Sequence, residues 1–165
     1  MALEKYQKMR DFSKTPEPAG ELSKGFCDEI KKRYKGKRIS EKPIYVVQEH
    51  HASRLHWDFR IELDGVLKSW AIPKGPSTDP KDKRLAVQTE NHPIEYANFE
   101  GEIPAGNYGA GTVKLWDSGD FEVVDRTPDK IVMKINGKRL QGEFVLLRTK
   151  FSGSDKNWLF FKKKG

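Results

Sequence analysis

At 165 residues with 36% hydrophobic side chains, the chain is sized for one domain with a modest core. No apolar run approaches the ~20 residues that span a bilayer, no signal-peptide pattern opens the sequence, and a single cysteine, Cys27, excludes an intramolecular disulfide framework. A reducing cytoplasm is therefore the expected compartment. A formal net charge of +7 points to a polyanionic partner, most simply nucleic acid, or else to a Lys-rich soluble surface.

Residues 1–40 are dense in Lys and Glu and include "KTPEPAGE" (Lys14–Glu21), a loop-type segment. Leu22, Phe26, Ile30 and Tyr34 recur every four residues, which fits a short amphipathic helix between Gly20 and Gly36 or a basic arm without fixed structure. From Pro43 onward the signals are for strands. "IYVVQ" is β-branched and aromatic, and "RLHWDFRIEL" alternates with period two. Asp64–Gly65 is a type I′ hairpin signal leading into "VLKSWAIP". "RLAVQTE" alternates again. "TVKLWD-SG-DFEVV" and "IVMKI-NGKRLQ-GEFVLLR" read as two further hairpins, and "NWLFFKKK" as a last strand with a basic tail.

So little helix and so many short strands predict a mainly β fold: a small antiparallel β-barrel, or a sandwich, of roughly eight strands. Short flanking helices and an N-terminal arm complete it. Residues 1–40 would form the arm and residues 41–165 the barrel. The longest irregular stretch is Asn91–Gly111, and irregular segments of that length in compact domains are often functional.

Three of the four histidines fall at the start of "HHASRLHWDFRIEL" (His50–Leu63). On a strand, Leu55, Trp57, Phe59, Ile61 and Leu63 share one face, which buries, and His56, Asp58, Arg60 and Glu62 share the other. Same-face neighbours lie about 6.5–7 Å apart, so His56 and Asp58 could lean toward one cation. A short loop could bring His50 in as a third ligand. Two imidazoles and a carboxylate suit Zn²⁺, Mn²⁺ or Fe²⁺ better than Ca²⁺, and three protein ligands leave the open positions that a catalytic metal needs. The competing reading is the solvated face of an edge strand. Arg60 argues against it, because a cation beside a metal implies an anion between them, and Arg with a metal grips phosphoryl groups.

Arg84, Ala86, Gln88 and Glu90 would share one face of the next alternating strand, followed by His92, fixed by Pro93. Lys74 lies in the rigid loop "PKGP". If the two polar faces converge, one site collects His50, His56, Asp58, Arg60, Lys74, Arg84, Glu90 and His92. The alternatives are a solvated cross-strand charge set for Arg84 and Glu90 and a turn residue for His92. Trp57 and Trp70 read as core before base-stacking platforms.

"QEHHASRLHWDFRIELDGVLKSWAIPKGPS", "KRLAVQTENHPIEYANFEGEIPAGNYGAGTVKLWD" and "RDFSKTPEP" closely resemble the phosphoesterase domain of bacterial DNA ligase D and its free-standing archaeal relatives. The resemblance covers almost the whole chain. It implies a small β-barrel that trims 3′ ends during DNA repair by non-homologous end joining, removing a 3′-terminal ribonucleoside and then the 3′-phosphate left behind. It implies a divalent metal, first Mn²⁺ with Zn²⁺ or Co²⁺ as alternatives, held by His50, His56 and Asp58. His51 is the variable position beside the first ligand. Arg60, His92 and Tyr96 match the phosphate-contacting groups of the family, and Lys74, Arg84 and Glu90 match further residues needed for activity. Arg10, Asp11 and Glu17 match an arm that precedes the barrel and holds substrate. The substrate implied is a DNA or DNA/RNA primer-template 3′ end, handled by a monomer, without membrane, with a DNA ligase and end-joining proteins supplied in trans. Two other classes compete: a non-catalytic nucleic-acid-binding barrel with a structural metal, and a scaffold that recruits repair partners through its basic arm.

Overall fold

The computed structural model describes residues 3–10, 12–14, 16–17, 42–149 and 154–164. Asp11, Cys27 and the helix expected between Gly20 and Gly36 lie outside these residues. A five-residue helix, α1 (Glu4–Lys8), precedes nine strands: β1 (Ile44–His51), β2 (Leu55–Leu63), β3 (Val66–Ile72), β4 (Arg84–Gln88), β5 (Gly101–Ile103), β6 (Gly111–Thr127), β7 (Lys130–Gly137), β8 (Gln141–Arg148) and β9 (Asn157–Lys162). The sheet runs β1-β2-β3-β4-β9-β8-β7-β6 and closes through a β1–β6 pairing, so eight antiparallel strands form the expected barrel. β5 adds a ninth strand beside β6. Among the described residues, no helix is long and apolar enough to cross a membrane.

Closure is what lets these alternating strands bury one face without leaving an edge. Tyr45, Phe59, Trp70, Phe121, Phe144 and Phe160 fill the interior and are at most 1% exposed. The β2–β3 hairpin turns where the Asp-Gly signal lies: Leu63 pairs with Val66, and Asp64 and Gly65 take φ of 56° and 81°, as a type I′ turn requires. The Ser118–Gly119 hairpin expected from sequence does not form. β6 runs straight through both residues, and a Cβ on Gly119 would collide with the Asn136 carbonyl of β7, so this glycine serves close strand approach. The turn comes instead between Thr127 and Lys130, which pair directly.

The outer wall of the barrel is also apolar over β1, β3 and β6. Val46, Leu67 and Val113 pack there with Tyr6 of α1 and with Tyr96, Phe99 and Ile103 from the 91–111 connection. "IYVVQ" is thus continuously apolar because both faces of β1 bury. The 91–111 stretch is not structureless: it holds a 3₁₀ turn, Ile94–Asn98, and β5. Together with the N-terminal arm it builds a second layer on one side of the barrel.

Candidate active site

Between that layer and the barrel wall lies a cavity of about 300 Å³, into which the outward faces of β1, β2 and β3 project. His50 and His56 are direct register partners across the β1–β2 hairpin, so antiparallel pairing alone brings the first ligand beside the second. One donor atom from each of His50, His56 and Asp58 lies within 4.8 Å of the others. Asp58 Oδ2 is 3.5 Å from His50 Nδ1, and Asp58 Oδ1 is 3.3 Å from His56 Nε2. The opposite nitrogen of each ring faces a backbone carbonyl: His50 Nε2 lies 2.8 Å from Gly109 O, and His56 Nδ1 lies 3.1 Å from Arg54 O. Both carbonyls can only accept, so each ring can donate there and leave its other nitrogen, the one beside Asp58, to ligate a metal. This is how ligating histidines are oriented. The set is compatible with a divalent metal held by two nitrogens and one oxygen, and no fourth His, Cys, Asp or Glu joins it among the described residues.

Arg60 extends the site from Asp58 toward His92. Its Nη2 is 3.4 Å from Asp58 Oδ2 and its Nη1 is 3.1 Å from His92 Nδ1, while Nε donates to Gln48 Oε1 at 2.7 Å. The guanidinium carbon lies 4.8 Å from the centre of the Tyr96 ring. Gln48 is fully buried and its Nε2 donates to the Tyr96 and Phe99 carbonyls at 2.7 and 3.0 Å, locking Arg60 to the 3₁₀ turn. His92 is anchored by two backbone hydrogen bonds with Leu67, each 2.8 Å.

The arm closes the far side. Arg10 Nε donates to Glu17 Oε2 at 2.9 Å and Nη2 to Glu90 Oε1 at 3.2 Å, with Nη2 also 3.4 Å from His92 Nε2. Tyr96 OH donates to Glu17 Oε2 at 2.7 Å. Tyr6, with no exposed surface, packs its ring 5.0 Å from His92. Arg10 and Glu17 of the arm thereby become part of a buried charge network.

These contacts set the protonation states. Burial would raise the Asp58 carboxyl, but Arg60, His50 and His56 outweigh it and hold it well below the usual carboxylate range. Burial, Arg60 and Arg10 together push His92 well below the ordinary imidazole value. Burial, opposed by Arg60 and reinforced by Glu17, pushes the Tyr96 phenol well above its ordinary value. The cavity therefore offers a carboxylate, a neutral imidazole and a neutral phenol. Its lining carries three carboxylates, Glu17, Asp58 and Glu90, against two guanidiniums, Arg10 and Arg60. Their formal charge of −1 becomes +1 with a divalent cation, so the same cation that fits the ligands makes the cavity attractive to phosphate.

The cavity thus gathers Arg10, Glu17, His50, His56, Asp58, Arg60, Glu90, His92 and Tyr96. The expected convergence of the two polar strand faces does not occur. Ala86 belongs to the barrel interior and Gln88 accepts from Trp158 Nε1, so Arg84, Ala86 and Gln88 point inward. Arg84 lies 3.6 Å from Asp82, and neither it nor exposed Lys74 lines the cavity. Glu90 and His92 reach the outer face because the register slips by one residue between Trp70↔Gln88 and Leu67↔His92. Sequence reasoning missed Gln48, which lies two residues before His50 and so on its face, and Tyr108 and Gly109 of the connection.

Residues 48–148 match the model of the DNA ligase D 3′-phosphoesterase domain. The chain is 45% identical over 167 residues to the multifunctional non-homologous end joining protein LigD of Pseudomonas aeruginosa, covering 98% of this chain and 18% of that protein. It is 41% identical over 157 residues to the multifunctional non-homologous end joining DNA repair protein LigD of Mycobacterium tuberculosis, covering 89% of this chain and 18% of the relative. For the LigD of Mycolicibacterium smegmatis the identity is 42% over 173 residues, covering 98% and 20%. The chain spans about a fifth of the length of these relatives. With a family match over more than half of its length, laid across the strands that carry the cavity, the chain belongs to the DNA ligase D 3′-phosphoesterase domain family.

Proposed function

We propose that the chain hydrolyses phosphoesters at DNA 3′ ends, removing a terminal ribonucleoside and then the remaining 3′-phosphate, as part of end processing for non-homologous end joining. The observation that carries this reading is the position of Arg60, within 3.4 Å of Asp58 in the metal-ligand cluster and 3.1 Å of His92. A phosphate bridging that cluster and His92 would be gripped by the guanidinium on its way through the transition state. Mn²⁺ is the metal of choice for His50, His56 and Asp58, and when bound it supplies Lewis acidity toward a phosphate oxygen or a water.

His92 meets the substrate as a neutral ring, since two guanidiniums and burial disfavour its charged form. A hydrogen bond to a phosphate oxygen fits that state better than proton donation to the leaving oxygen. Tyr96 and Gln48 hold Arg60 and the 3₁₀ turn in place. The arm acts as a cover that helps hold the primer strand, with Arg10 and Glu17 in the cavity lining and Asp11 assigned to the same role from the family resemblance alone. Lys74, exposed outside the cavity, contacts nucleic acid beyond the scissile phosphate, and Arg84, beside Asp82, acts on the site only indirectly. The product is a 3′-hydroxyl end, the end a DNA ligase needs, so a ligase is the natural partner.

The test is a primer-template whose primer ends in one ribonucleotide. The reading predicts two products in order, a primer shortened by one nucleoside and carrying a 3′-phosphate, then the same primer with a 3′-hydroxyl. Binding without either product would leave a nucleic-acid-binding barrel or a recruiting scaffold instead.

A further inference from the structure

Two tyrosines line the cavity, and they are held very differently. Tyr96 is 2% exposed, with its hydroxyl committed to Glu17. Tyr108 is 46% exposed at the rim. A lone exposed aromatic needs no explanation of its own. The surroundings of this one do. Arg10 lies 5.1 Å from the ring centre, and the hydroxyl is 3.4 Å from Glu90 Oε2, so the ring is fixed against the arm and the end of the barrel face. Its neighbour Gly109 supplies the carbonyl that orients His50. An aromatic surface is thus held open to solvent one residue from a group that orients a metal ligand.

We infer that Tyr108 stacks on the base of the nucleoside that carries the scissile phosphate on its 3′ oxygen. The inference rests on the 3′-end reading above and adds a subsite to it. That nucleoside is common to both proposed steps, because ribonucleoside removal leaves the phosphate on it. Every base offers a π-face, so stacking gives affinity without sequence preference, which suits an enzyme that must accept any broken end.

The experiment uses a primer-template with 2-aminopurine as the 3′-terminal base and a 3′-phosphate, mixed with Mn²⁺-loaded protein. Anisotropy reports binding and 2-aminopurine quenching reports stacking in the same sample. Wild type and Tyr108→Phe should quench on binding. Tyr108→Leu should bind about ten-fold more weakly and leave the bound base unquenched, with a matching rise in KM for phosphate release. A primer lacking the terminal base should bind wild type and Tyr108→Leu alike. Equal quenching by Tyr108→Leu would overturn the inference. So would a Tyr108→Phe as impaired as Tyr108→Leu, which would assign the effect to the hydroxyl on Glu90. Quenching without phosphate release would keep the stacking subsite and sink the phosphoesterase reading; release without quenching would do the reverse.

Discussion

Arg10 and Glu90 are 80 residues apart in sequence, yet Arg10 Nη2 donates to Glu90 Oε1 at 3.2 Å with both side chains only 4% exposed. The same guanidinium binds Glu17, so one arginine neutralises two buried carboxylates and joins the arm to the barrel. Glu17 and Glu90 in turn outweigh the effect of burial and keep Arg10 charged.

Arg10→Ala should therefore release the arm. Removing one partner of a buried ion pair costs about 3–5 kcal/mol, because the remaining charge is left uncompensated. Here the arm can lift away and let water reach Glu17 and Glu90, so the barrel should stay folded. Limited proteolysis should cut the variant within residues 1–40 while the barrel survives, and phosphoesterase turnover should fall at least ten-fold. Protection equal to wild type would show that the apolar packing of Tyr6 holds the arm by itself.

His56→Ala and Asp58→Ala should each abolish turnover without unfolding the protein. Both side chains face away from the barrel interior, so no core volume is lost. Far-UV circular dichroism checks the fold, and Mn²⁺ titration by calorimetry checks the ligands. Near-normal turnover at saturating Mn²⁺ in either variant would remove the three-residue ligand set.

Glu90→Ala should lower both activities but ribonucleoside removal at least ten-fold more. Glu90 lies on the Arg10 and Tyr108 side of His92, away from Asp58, where the sugar end of the substrate would sit. It has no contact with Arg84, which removes cross-strand pairing as its alternative role. Equal loss on a ribonucleotide-ended and a 3′-phosphate primer would make Glu90 a general organiser of Arg10.

Away from the site, Asp117 caps the β7–β8 turn. It accepts from the backbone N–H groups of Lys138, Arg139 and Leu140, each at 3.0 Å, and from Tyr45 OH. Burial would raise its carboxyl, but these donors hold it below its ordinary value of 3.8. A depressed carboxylate stabilises the fold above the unfolded value, and that contribution disappears as the pH falls through the folded value. Asp117→Asn should destabilise by about 1.5–3 kcal/mol near neutrality, the range for hydrogen bonds to a charged group. Urea midpoints of variant and wild type should converge at acid pH; a constant gap would assign the loss to side-chain geometry instead of charge.

Much of this architecture is legible in the sequence, and the failures have physical causes. β2 could be read because its apolar face is large and unbroken, so only one orientation buries it. The alternation of β4 predicts the opposite orientation to the one it takes. Leu85 stays 45% exposed while Ala86 goes inside, because Trp70, Trp158 and Phe160 already fill the interior there and only a small side chain fits. The one-residue slip that turns Glu90 and His92 outward leaves no trace in local periodicity. Nor does the pairing of Arg10 with Glu90, which joins residues 80 apart in sequence and depends on how the arm docks on the barrel. Gln48 was within reach, as a polar residue in phase with His50, but amide side chains at such positions usually face solvent, and its partners are backbone carbonyls.

The most direct test is phosphate release from a 3′-phosphate primer-template by chelator-stripped protein, measured as Mn²⁺ is titrated back, with His50→Ala alongside. The account predicts no release without metal, recovery with one Mn²⁺ per chain in the wild type, and no recovery in the variant. Release that persists in chelator, or that returns equally in His50→Ala, would contradict it.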